Sequence, residues 1–71
     1  MESDFRKQVG ERLMNLRSNN NLSQEMLANQ ADLDRSYISR IERGIISPSV
    51  ENLSKICNVL NTSLSKFFHD F

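Results

Sequence analysis

With 71 residues, 38% of them hydrophobic, the chain can enclose one small core, which excludes a doubly wound sheet or a barrel enzyme with its loops. No apolar run approaches the roughly 20 residues of a membrane span, acidic Glu2 and Asp4 stand where a leader peptide is positive, and Cys57 and His69 alone make neither an internal disulfide nor a zinc site. Nine Lys and Arg balance nine Asp and Glu, so any attraction to nucleic acid or an acidic membrane must come from local patches.

Phe5, Val9, Leu13 and Leu16 step by four, four and three, the stripe of an amphipathic first helix. Ser3 is placed to cap its start, with Asp4 in the first turn. The run Asn19, Asn20, Asn21 ends it, because Asn tolerates the left-handed C′ conformation. Ser23 caps a short second helix, about residues 24–31, which turns Leu27, Ala28 and Ala31 inward. Asp32 and Leu33 form a tight turn, and Asp34 caps a third helix over about 35–43 with Ile38 and Ile41 inward. Gly44 closes that helix as its C′ residue. A loop through Ile45, Ile46, Ser47 and Pro48 leads to Ser49, the cap of a fourth helix. This helix carries Leu53, Ile56, Cys57 and Leu60 on one stripe and ends at Asn61. Leu64, Phe67, Phe68 and Phe71 keep the helical spacing in a last segment. No segment alternates with period two, so the expected fold class is all-α, a compact five-helix bundle in one domain over residues 1–71.

Residues 22–44, LSQEMLANQADLDRSYISRIERG, have the geometry of a helix-turn-helix. Ala28 is small enough to let the third helix approach, and Asp32 falls where the chain must turn sharply. Ile38 and Ile41 seat the third helix, which leaves Arg35, Ser36, Ser39, Arg40 and Arg43 on its other faces. Arginines and small hydroxyls suit the donor requirement of the DNA major groove. Two basic groups stand out. Arg35, Arg40 and Arg43 are opposed in their own stretch only by Glu42, and Arg6, Lys7, Arg12 and Arg17 by Glu11.

Further residues carry a resemblance to a known family. They are the opening Leu22, Ser23, Gln24, Glu25; then Leu27, Ala28, Ile38; then Ile41, Glu42, Arg43, Gly44. Pro48, Ser49, Leu53, Ile56, Leu60 and the segment from Leu64 to Phe68 continue it. Over about residues 5–68 the chain resembles the lambda-repressor/Cro-like helix-turn-helix regulators, also called the xenobiotic-response-element type. Within them, Leu33, Asp34, Arg35, Ser36, Tyr37, Ile38 and Ser39 most resemble the controller proteins of restriction–modification systems. The resemblance implies a lambda-repressor-like fold, a third helix that reads the major groove, and a homodimer on a two-fold operator. It also implies that Arg17 pairs with Glu42 and ties the first helix to the third. Gln24 resembles the family residue that hydrogen-bonds a phosphate at the start of the second helix, where free N–H groups attract an anion. Two residues depart from the pattern. Asp32 stands where the family usually has Gly, and Ile45 and Ile46 stand where relatives often carry a basic or polar side chain. The second departure directs this loop toward protein and away from phosphate.

Each candidate has a competing ordinary role. Arg35 either reads a base or pairs with Asp32 or Asp34; its position opposes the helix dipole, which favours a functional reason. Arg40 either contacts DNA or pairs with Glu42, and Arg43, at the far end of the helix, reaches phosphate before base. Ser36 and Ser39 are adaptable partners or exposed filler, and Tyr37 either directs its hydroxyl to a phosphate or simply packs. Cys57 reads as core and His69 as a terminal surface group, and without a nucleophile–base pair the chain does not read as an enzyme. A core this small cannot enclose four large side chains at its own terminus. Leu64 and Phe67 are expected inside, while Phe68 and Phe71, with Ile45 or Ile46, form an apolar patch for a second copy. The resulting expectation is a cytoplasmic, sequence-specific, double-stranded DNA-binding transcription regulator that acts as a homodimer without metal, cofactor, small-molecule ligand or membrane. Two alternatives remain at this point: the DNA-binding domain of a longer repressor, and an antitoxin-like protein-interaction module.

Overall fold

The computed structural model describes residues 2–71, with side chains from Asp4 onward. Its elements are α1 (Glu2–Asn19), α2 (Gln24–Ala31), α3 (Arg35–Glu42), α4 (Val50–Val59) and α5 (Leu64–Phe67). Because α1 begins at Glu2, Ser3 lies within its first turn and not ahead of it; the Ser3 side chain falls outside the described residues. The third helix ends one residue earlier than the sequence suggests, with Arg43 as its C-cap.

Four helix ends share one device. Asn21, Asp32, Gly44 and Asn61 take left-handed φ values of 58°, 58°, 75° and 56°. After each, the next backbone N–H reaches back across the last turn, Leu22 to Arg17, Leu33 to Ala28, Ile45 to Arg40 and Thr62 to Cys57, at 2.8–3.1 Å. This is the Schellman pattern, which satisfies carbonyls that the helix itself leaves open. Three of the four residues are Asn or Asp, whose short polar side chains tolerate this backbone region. At the other ends, Ser23, Ser49 and Ser63 accept hydrogen bonds from the backbone N–H of Met26, Asn52 and Lys66. Asp34 takes the extended backbone of an N-cap, but its carboxylate makes no capping hydrogen bond.

The core is built from the faces that the 3.6-residue period marks. Leu13, Leu27, Ile38, Ile41, Ile56 and Phe67 are fully enclosed, with Val9, Ala28, Ala31, Leu53, Cys57 and Leu60 around them. Helix α1 packs on α3, α2 on α3 and α4, and α5 on α4. Burial pushes the Cys57 thiol up from its ordinary value, as suits a small core side chain. Leu16, on the expected inward stripe of α1, is half-buried against the core, and Phe5 lies outside it. Phe5 is exposed, and instead stacks on Phe68 at 6.2 Å and meets Phe71 edge-on at 6.0 Å.

Gly10 sets how closely α1 crosses α3, a role its sequence context does not announce. A Cβ there would stand 2.5 Å from the carbonyl oxygen of Ile41 and 2.7 Å from that of Glu42, both backbone atoms. Alanine in place of a mid-helix glycine ordinarily gains about 0.5–1 kcal/mol. Here the overlap reverses the sign, since overpacking costs typically about 1–3 kcal/mol. Gly10→Ala is therefore expected to lower the urea midpoint, and a raised midpoint would contradict this close crossing.

The C-terminal segment is held in place. Arg12 donates to the carbonyls of Phe67 and His69 and sets its guanidinium 5.0 Å from the Phe71 ring centre. Phe67 is enclosed as expected, whereas Leu64 is only half-buried. Arg6 donates to the Ile45 carbonyl at 3.2 Å. Of the basic group read in the first segment, the three arginines are thus divided among internal partners, Arg17 through Glu42, while Lys7 stays exposed.

Candidate nucleic-acid interface

Helix α3 buries Ile38, Ile41 and Glu42 and turns its opposite face to solvent. Arg35, Ser36, Arg40 and Arg43 are exposed, and Tyr37 and Ser39 are half-buried. Among the described residues, the Arg17–Glu42 contact is the only one that joins a Lys or Arg to a carboxylate at ion-pair distance, and His69 Nε2 lies 3.4 Å from the Asp70 carboxylate. Arg35 is therefore not held by Asp32 or Asp34, nor Arg40 by Glu42. Arg40 and Arg43 each donate from Nε to a carbonyl one turn back, Ser36 at 3.3 Å and Ser39 at 3.4 Å. Those bonds orient the side chains and leave the terminal guanidinium nitrogens open. The result is a row of uncompensated cations beside small hydroxyls on one exposed helix. It offers donors of the geometry that base edges and phosphates accept.

Behind this face lies a charged network. Glu42 is 6% exposed, and Arg17 grips its carboxylate through Nε at 2.6 Å and Nη2 at 2.9 Å. Nη1 of the same arginine donates to the Leu22 carbonyl at 2.8 Å. The hydrogen bond to Glu42 raises the Arg17 pKa from its ordinary value, against the opposing effect of burial. Gln24 adds a third donor, from Nε2 to Oε1 of Glu42 at 2.9 Å. The residue read as a phosphate ligand thus has one amide hydrogen turned inward, while the second hydrogen and its backbone N–H at the start of α2 remain. The network ties the end of α1, the start of α2 and the end of α3 to one carboxylate.

Tyr37 joins α3 to α4. Its hydroxyl oxygen accepts from the Ser49 backbone N–H at 3.3 Å and from Nδ2 of Asn52 at 3.1 Å. Asn52 was not legible as important from its type or spacing, and Arg12 was read only as part of a basic group, because both act through partners distant in sequence.

The apolar residues expected to meet a second copy fall into two degrees of exposure. Ile45 and Phe71 are exposed, and Ile46 and Phe68 are half-buried against the core. The structure adds an open apolar hollow bordered by Phe5, Pro48, Val50, Leu53, Leu64 and Phe68, in which Val50 is 74% exposed. Among the described residues no three His, Cys, Asp or Glu side chains gather as metal ligands would, and no helix is long and apolar enough to cross a membrane.

A family model described as helix-turn-helix matches residues 13–67. Control protein C.MunI from a Mycoplasma species is 44% identical over 69 residues, covering 96% of this chain and 93% of that protein. Control protein C.BamHI from Bacillus amyloliquefaciens is 43% identical over 61 residues, 84% of this chain and 75% of that one. The fold superposes on the crystal structure of the restriction-modification controller protein C.AhdI from Aeromonas hydrophila with a TM-score of 0.88 and 37% identity, covering 92% of this chain and 98% of that one.

Proposed function

Because the chain belongs to the helix-turn-helix family, we propose that it is a sequence-specific, double-stranded DNA-binding transcription regulator that controls a restriction–modification system. The observation that carries this reading is the unpaired row of Arg35, Arg40 and Arg43, with Ser36 and Ser39, on the face of α3 opposite Ile38 and Ile41. In this reading α3 enters the major groove, Arg35 and the serines face base edges, and Arg43 and Gln24 face phosphates. Regulation proceeds by binding alone, without an enzymatic step, in the cytoplasm where the operator lies. Selection from a random duplex library is expected to yield a narrow two-fold consensus. Its affinity should fall with salt at a log–log slope near −0.9 per phosphate contacted. Equal affinity for every duplex would reject sequence-specific binding.

A two-fold operator calls for two copies. The longest dimension of the chain is 31 Å, less than the roughly 34 Å between successive major-groove half-sites. The second copy is assigned to the apolar face of Ile45, Ile46, Phe68 and Phe71, extended by Phe5 and Val50. Val50→Asp separates assembly from folding, since an acidic residue in the first turn of α4 suits the helix dipole. Phe68→Asp probes the centre of the same face. Sedimentation at micromolar concentration is expected to show a dimer for the wild type and monomers for both variants, with Val50→Asp keeping the helical circular dichroism of the wild type. A monomeric wild type that fills a two-fold site without cooperativity would remove the dimer.

A further inference from the structure

The hydroxyl of Tyr37 is constrained on two sides. A phenolic oxygen carries two lone pairs and one proton. Here the Ser49 backbone N–H and the Asn52 amide both donate to it, at 3.3 Å and 3.1 Å. Neither donating nitrogen can accept in return. With its lone pairs engaged, the hydroxyl has one capacity left, which is to donate its proton. Among the described residues no acceptor takes that proton; the Asp34 carboxylate borders the same hollow as Tyr37, Arg40 and Asn52 without bonding to the hydroxyl. Tyr37 and Arg40 are three apart on α3, so the donor and the cation share one face.

We propose that Asn52 is a positioning residue for DNA recognition: its amide fixes the Tyr37 hydroxyl as an obligate donor, so that Tyr37 meets the duplex only at an acceptor. That acceptor is an oxygen or nitrogen on a base edge, or a phosphate oxygen. The inference rests on the docking of α3 proposed above. It adds a residue of α4, which need not touch DNA, to the determinants of specificity. A serine hydroxyl rotates freely between donor and acceptor; the phenol of Tyr37 is denied that choice by its two partners.

Asn52→Asp tests the direction of the bond. The carboxylate has the shape of the amide but only accepts, so it would draw the Tyr37 proton inward. The backbone N–H of residue 52 still caps on Ser49, and an acidic side chain in the first turn suits α4. Folding is checked by circular dichroism and melting, and Asn52→Ala, which removes the donor without adding charge, provides a second variant. Each is measured alone and in the Tyr37→Phe background, on the duplex that the wild type selects and on an unrelated duplex. Added charge repels DNA in both backgrounds and cancels from the cycle. The expected result is about a tenfold larger loss from Asn52→Asp with Tyr37 present than in the Tyr37→Phe background, the scale of one hydrogen bond. Asn52→Ala should couple to Tyr37 in the same direction. A loss confined to one base position assigns the acceptor to a base edge, and a uniform loss assigns it to phosphate; either supports the proposal. Equal losses in the two backgrounds overturn it. So does a Tyr37→Phe protein that binds and selects as the wild type does, although the proposed function would then survive. A wild type that selects no sequence rejects both readings together.

Discussion

Arg17→Met is expected to remove about 3–5 kcal/mol of stability, the usual loss when one partner of a buried ion pair is deleted. For a chain of this length, total stability of roughly 0.05–0.15 kcal/mol per residue makes that a large fraction of the whole. The physical reason lies with the partner left behind. The Glu42 side chain is 1% exposed, and its two oxygens receive two bonds from Arg17 and one from Gln24. Without the guanidinium, the carboxylate is buried with a single neutral donor. The Leu22 carbonyl loses the Arg17 bond as well, at the point where the chain turns from α1 into α2. Adding Glu42→Leu to Arg17→Met should recover part of the loss, because an apolar pair no longer has a charge to solvate. Urea unfolding followed by circular dichroism measures both. A loss below about 1 kcal/mol for Arg17→Met would mean that the pair behaves as an exposed one. The arginine side of the pair adds no pH dependence in the neutral range. Its pKa is raised in the folded chain, so its contribution is complete below the unfolded value and fades only as pH climbs through the folded one.

What the sequence disclosed follows the range over which each determinant acts. Helix ends were legible because they are local: a left-handed residue is needed at Asn21, Asp32, Gly44 and Asn61, and few types accept that backbone. The inward stripes of α2, α3 and α4 were legible for the same reason, since period and burial coincide there. Long basic side chains were not. Arg6 and Arg12 reach carbonyls 39 and 55 residues away, so charge spacing along α1 suggested a patch where the fold makes clasps. Phe5 obeyed the period of α1 but lies past the end of the core, where its partners are Phe68 and Phe71. Gly10 carries no sequence signal of its role, because nothing local reveals that a carbonyl of α3 will stand against it. The pairing of Arg17 with Glu42 entered through the family resemblance. The third donor, Gln24, became visible only when the helices were assembled.

Arg35→Ala is expected to abolish preference for the selected operator while leaving folding intact. The two halves of that expectation have separate causes. In the free chain Arg35 is exposed at the first position of α3 and, among the described residues, has no carboxylate within ion-pair distance. A cation there opposes the helix dipole, so its removal leaves melting unchanged or slightly raised. On the proposed docking, the same position points the guanidinium at a base edge. A bidentate arginine–base contact contributes about 1–3 kcal/mol of discrimination, and a two-fold site contains the contact twice. Gln24→Ala supplies the contrast, because a phosphate contact weakens every duplex and leaves the specificity ratio alone. That variant also takes a donor from buried Glu42, so its melting should fall where that of Arg35→Ala does not. Titration of both variants against the selected duplex and an unrelated one separates the cases. An Arg35→Ala protein that keeps its operator preference would place base reading elsewhere on α3, with Ser36, Tyr37, Ser39 and Arg40 the remaining exposed or half-buried donors in reach.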